Sequence, residues 1–210
     1  MASSYAQQIP VVIWVLSQLR PRTVLDVGKG FGKYAFLAHE YLGIPRDEGT
    51  DPTRSMAAQS EIAFDCVDIQ PAYMWPHISQ LYRNSRVGDI TEIYRELSGY
   101  DVVLMTDVIE HLEKEKAQAV VRHFLDNGSV LLVTTPKRFF TQDIFQSDWE
   151  QHRSHWKPAD FATFGGFMDW QTVGPGRVYV LARAHEPILG FGHRPMQRAR
   201  RLARLVRSEF

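Results

Sequence analysis

Short apolar runs alternate with polar, helix-like stretches along most of this chain. Residues 24–27 read as a buried strand, and a glycine-rich turn leads from it into a helix over 32–41. Residues 63–67, 85–87, 100–105 and 130–134 read as further strands, and 114–124 as a helix. The stretch 73–81 is loop or helix. Residues 171–173 and 177–182 form a hairpin turned by Gly174-Pro175-Gly176. Residues 9–19 suit an amphipathic helix that covers the sheet. They are too short to span a membrane and lack the basic lead of a signal peptide. Buried strands alternating with helices predict an α/β fold, Rossmann-like and doubly wound, with a mostly parallel seven-stranded sheet and a C-terminal antiparallel hairpin.

Composition adds bounds. A chain of 210 residues, 44% hydrophobic, has room for one full core. Of the 24 basic and 24 acidic residues, six arginines and one glutamate lie from His193 onward. The remainder therefore carries 18 basic and 23 acidic side chains, a net charge of −5. The division is a domain over 1–192 and a basic helix or tail over 193–210, which is a solvated or dimer-contacting helix or a contact for RNA or anionic lipid. Within the domain, 43–60 is a polar insertion, either a solvated loop or a lid. Cys66 is the only cysteine, which fits a reducing cytoplasm, and its apolar setting marks it as an inert core thiol.

The turn after the first strand carries the chemistry. Asp26-Val27-Gly28-Lys29-Gly30-Phe31-Gly32 places alternating glycines between a strand and a helix start. Backbone N–H groups and a positive dipole end meet a ligand there, and glycines let it approach closely. The spacing departs from the G-x-G-x-x-G pattern that faces a pyrophosphate. The acid Asp26 repels a phosphate and suits an ammonium. S-adenosylmethionine (SAM) carries an ammonium and a sulfonium and no phosphate. Asp68, at the tip of the second strand, suits the ribose hydroxyls, with Ile69 against the adenine. Asp89 suits the adenine amino group, with Ile90 on the ring; the other reading of Asp89 is a helix cap. The 36 residues from Gly32 to Asp68 exceed the ~20 usual in dinucleotide folds, because of the insertion.

In order and spacing, these runs and the later ones at 100–112 and 130–136 resemble the motifs of class I SAM-dependent methyltransferases over about residues 20–182. The resemblance implies a cofactor set of Asp26, Gly28, Gly30, Gly32, Asp68, Ile69, Asp89, Ile90, Thr106 and Asp107. Asp107, Glu110 and His111 sit at helical spacing after strand four, where all three can face one way. A later run, Trp149 to Trp156, holds His152 and His155. The arrangement resembles ubiquinone-pathway O-methyltransferases and, more weakly, small-RNA 3′-end 2′-O-methyltransferases. That resemblance implies a Mg²⁺, Mn²⁺ or Zn²⁺ site at Asp107, Glu110, His111 and His152, with Asp107 in place of the usual Glu. Without metal, His111, His152 or His155 is the catalytic base, in a polar pocket. Trp149, Trp156, Phe139 and Phe140 either wall the acceptor or pack in the core.

The expected function is SAM-dependent O-methylation of a small-molecule hydroxyl on a sugar, phenol or natural-product intermediate. RNA ribose 2′-O-methylation, helped by the basic tail, and a non-catalytic SAM-binding partner subunit are the alternatives.

Overall fold

A computed structural model describes residues 4–44, 51–141 and 148–183. Within them, seven strands form one sheet: β1 (Thr23–Val27), β2 (Ala63–Asp68), β3 (Asn84–Val87), β4 (Val102–Thr106), β5 (Val130–Pro136), β6 (Phe167–Val173) and β7 (Gly176–Ala182). Their order is β3-β2-β1-β4-β5-β7-β6. The first five are parallel, and β7 runs antiparallel between β5 and β6. This is the sheet that the alternating pattern predicts. The hairpin is longer than expected, because β6 begins at Phe167, where its residues are only half-buried and give a weak apolar signal.

Among the described residues there are seven α-helices: α1 (Ile9–Leu19), α2 (Lys33–Ala38), α3 (Met56–Gln59), α4 (Ile78–Leu81), α5 (Ile90–Ile93), α6 (Lys114–Asp126) and α7 (Pro158–Ala162). Side chains alternate across each strand. Val24, Phe64, Cys66, Leu104, Leu132 and Val180 point into one core with α1, α2 and α4. Leu25, Val27, Val67, Met105, Val133 and Tyr179 point into the other, with α5, α6 and α7. Burial on both faces explains why the central strands read as unbroken apolar runs. On α6, Val120, Val121, Phe124 and Leu125 are fully buried. Each such side chain contributes about 1.5–3 kcal/mol. Cys66 is buried in β2 and donates to Ser85 Oγ at 3.3 Å. Burial pushes its thiol up to about 12.

No helix among the described residues is long and apolar enough to cross a membrane. Residues 51–60 of the insertion fold back on themselves: Gln59 bonds to Asp51, Arg54 and Ser55, and Ser55 caps α3. The insertion packs beside α4. Residues 45–50 and the basic tail, 193–210, lie outside the described residues.

Candidate functional site

The strand order reverses direction at β1, which lies between β2 and β4. In α/β sheets that switch point opens a crevice at the carboxyl edge. The turn from Gly28 to Gly32 sits there, and all three glycines have positive φ (65°, 54° and 74°). A Cβ on Gly28 would lie 2.4 Å from Val108 Cγ2, so only glycine allows this close approach of β1's exit to β4's exit.

A cavity of about 580 Å³ opens over this edge. Its volume suits a nucleoside-sized ligand together with an acceptor. Its wall includes Gly28, Gly30, Asp68, Ile69, Asp89 and Ile90, from the exits of β1, β2 and β3, and Glu110, His111, Phe140, Trp149 and His152, from the chain after β4 and β5. Thr106 and Asp107, at the exit of β4, border it as well. Gly32 is not in the wall and packs on Leu81 and Tyr82 instead. Asp89 caps α5 by accepting from Thr91 N–H at 2.8 Å while its side chain still borders the cavity. At the tip of β2, Asp68 accepts from Gln70 N–H at 3.0 Å, and its other oxygen faces Lys29 Nζ at 3.5 Å.

The expectation that Asp26 faces the ligand is not met. Asp26 is 1% exposed beneath the glycine turn, outside the cavity wall, and accepts from Tyr82 Oη at 2.7 Å. Burial raises its carboxyl to about 7, against the lowering effects of that hydrogen bond and of Lys29. The folded value lies above the ordinary 3.8, so folding binds a proton between them. Stability from this group is full below the unfolded value and is lost as pH rises through about 7. Asp26→Asn keeps the acceptor for Tyr82 and removes the buried charge. It is expected to stabilise the protein by about 1–3 kcal/mol at about pH 8 and to flatten the slope of stability between about pH 4 and 7. Chemical denaturation across that range measures both.

The run from Asp107 to His111 departs from the expected helix. Asp107 is left-handed (φ 54°), a single 3₁₀ turn covers Ile109–His111, and α6 starts only at Lys114. Asp107 lies outside the group formed by Glu110, His111 and His152, though close enough to act on Glu110. Its carboxylate accepts from Thr134 Oγ1 at 2.9 Å, and burial raises it to about 6. The group that does form among the described residues is Glu110, His111 and His152, whose ligand atoms all lie within 4.8 Å of one another. Glu110 is buried, with Oε2 lacking any hydrogen bond, and burial next to Asp107 pushes its carboxyl well up. His111 Nδ1 lies 3.1 Å from Gln151 O, and His152 Nδ1 lies 2.9 Å from Phe140 O. A carbonyl only accepts, so each Nδ1 carries the proton and each Nε2 keeps a lone pair. Burial lowers both imidazoles, which favours that neutral form. A buried carboxyl with one oxygen free of hydrogen bonds and two imidazoles oriented through backbone carbonyls form a donor set that fits a divalent cation.

The main chain of the 3₁₀ turn delivers His152 to this group. Arg153 and Ser154 N–H both donate to Glu110 O, at 2.8 and 2.9 Å. Ser154 Oγ and Trp156 Nε1 both donate to Ile109 O. Trp156 is fully buried and belongs to the core. Trp149 and Phe140 border the cavity, whereas Phe139 is exposed outside it. His155 is also outside the wall and faces Lys137 O at 3.4 Å. The structure adds residues to which the sequence reading gave no role. Tyr5, Lys29, Lys33, Tyr73 and Glu150 all border the cavity. Tyr73 Oη donates to Glu150 Oε1 at 3.0 Å, joining the β2 side to the loop after β5. Lys29 is a cation inside the glycine run and Lys33 directly follows it, whereas nothing in the sequence marks Tyr5.

No protein-family model and no curated protein matches the amino-acid sequence. Solved structures do match. The methyltransferase domain of bacterial CtHen1 superposes with a TM-score of 0.57 at 20% identity, over 84% of this chain and 97% of that one. An O-methyltransferase family protein from Burkholderia thailandensis gives 0.56 at 15%, over 85% of this chain and 56% of that one. PigF with SAH gives 0.51 at 14%, over 82% of this chain and 54% of that one. The chain thus spans little more than half the length of the last two. These superpositions, with the sheet order and the glycine turn at its switch point, give this chain the fold of the SAM-dependent methyltransferases.

Proposed function

We propose that this chain is a SAM-dependent methyltransferase that methylates a hydroxyl of a small-molecule acceptor. The observation that carries the reading is one cavity whose wall holds two chemically different groups of residues. The glycine turn, Asp68 and Asp89 form an end suited to an adenosine, and Glu110, His111 and His152 form an end suited to an acceptor oxygen. SAM supplies the activated methyl group, and a cation, if held by Glu110, His111 and His152, would lower the pKa of a chelated hydroxyl.

The protein's own part is alignment and proton control. Thr106 and Asp107, in the wall at the exit of β4, line an acceptor up with the methyl donor. Glu110, His111 and His152 would hold the cation through one carboxylate oxygen and two Nε2 atoms. In the metal-free reading, the lone pair of His111 or His152 Nε2 takes the acceptor's proton. His155, outside the wall, is not proposed as the base. Phe140 and Trp149 add aromatic surface to the wall against which an acceptor could pack.

Titration calorimetry with SAM and S-adenosylhomocysteine (SAH), beside NAD and ATP, tests the reading. Micromolar-range binding of the first two alone is expected, and uptake of NAD or ATP instead ends it. RNA ribose 2′-O-methylation is the second reading. It is favoured by the six arginines from His193 onward. A steep salt dependence of RNA binding, lost on deleting residues 193–210, would select it. SAM binding without turnover on either acceptor class would select a non-catalytic partner subunit.

A further inference from the structure

Lys29 is the least expected residue of the glycine turn. Its side chain has no solvent exposure, and Asp68, 3.5 Å from its Nζ, is 4% exposed. Nζ also donates to Tyr73 O at 3.0 Å. Burying an ammonium is costly unless charge and hydrogen bonds compensate it. This one therefore stays where it binds, and it ties three pieces of the cavity wall together: the turn after β1, the tip of β2 and the 3₁₀ turn Pro71–Tyr73. Asp68 is held from both sides, by Gln70 N–H on Oδ1 and by the ammonium beside Oδ2. At 3.5 Å the pair is longer than a charge-assisted hydrogen bond, and Oδ2 has no hydrogen bond of its own among the described residues. The carboxylate is thus oriented without being fully used.

We propose that Lys29 is a positioning residue for the nucleoside half of the cavity. It holds the Asp68 carboxylate and the Tyr73 wall in the geometry that receives the two ribose hydroxyls. This rests on the SAM reading above. Lys29 acts through Asp68, so its effect depends on two things: the presence of Asp68 and the presence of the hydroxyls. A lysine whose loss merely loosened the turn would weaken ligands with and without the hydroxyls alike, and would do so whether or not Asp68 is present.

The test measures dissociation constants by calorimetry for SAH and for its 2′,3′-dideoxy analogue. The proteins are the parent chain, Lys29→Met, Asp68→Asn and the double variant. Lys29→Met is expected to weaken SAH by about tenfold or more and the dideoxy analogue by less than about threefold. In the Asp68→Asn background, Lys29→Met is expected to cause no further loss. Equal weakening of both ligands, additive losses in the double variant, or unchanged SAH affinity would each overturn the proposal. A parent chain that binds no SAH fails the cofactor reading instead, which is a separate result. Thermal melts check the fold. If Lys29→Met unfolds, Lys29→Gln, which keeps a neutral donor for Tyr73 O, goes through the same comparison.

Discussion

His152→Ala is expected to lower the affinity for a divalent cation by about 100-fold or more, the largest effect of any single change proposed for the acceptor end. The group has three donors, and the other two, Glu110 and His111, are neighbours on one turn. Only His152 comes from a distant element, so its loss leaves a two-point site on one side of the cation. The fold should tolerate the change. The imidazole makes one hydrogen bond, to Phe140 O, and the loop stays tied to Glu110 O through Arg153 and Ser154 N–H. Titration of Mn²⁺ or Zn²⁺ into chelator-treated protein reads the affinity directly. The rise in melting temperature with added metal gives a second measure that needs no acceptor. If the parent chain takes up no cation, and methyl transfer ignores chelator, the metal reading fails and the histidines remain as base candidates.

Asp68→Ala is expected to weaken SAH binding by about 100-fold, the loss of roughly two hydrogen bonds to a charged acceptor. A second cost adds to it, because the variant leaves the Lys29 ammonium buried without its carboxylate. Some loss of melting temperature is therefore expected alongside the loss of affinity. Asp68→Asn separates the two, since it keeps the acceptor for Gln70 N–H and most of the shape. Calorimetry that returns an unchanged SAH affinity in both variants removes Asp68 from the ribose site.

The sheet was legible because its signal is local. Each central strand presents apolar side chains to both cores, so Val102 to Thr106 or Val130 to Val133 reads as a strand with no knowledge of its neighbours. The glycine turn was legible for the same reason, since positive φ at Gly28, Gly30 and Gly32 is written in residue type. What failed was whatever depends on direction or distance. Asp26 reads as a ligand acid, yet a strand residue points to one side or the other, and its side chain turns to Tyr82, 56 residues away. Asp107 adopts a left-handed backbone that non-glycine residues seldom show, so helical spacing wrongly put it with Glu110 and His111. The union of Glu110, His111 and His152 follows from backbone bonds to Glu110 O, which have no side-chain signature. The Tyr73–Glu150 bond joins residues 77 apart and was likewise invisible.

The lone thiol has a practical use. Cys66 is sealed between sheet and helices, and its sulfur resists ionisation up to about 12. Alkylating reagents need an exposed thiolate. Labelling of the native protein therefore proceeds only through molecules that have opened this part of the sheet, and its rate serves as a built-in clock for that opening, with no probe introduced.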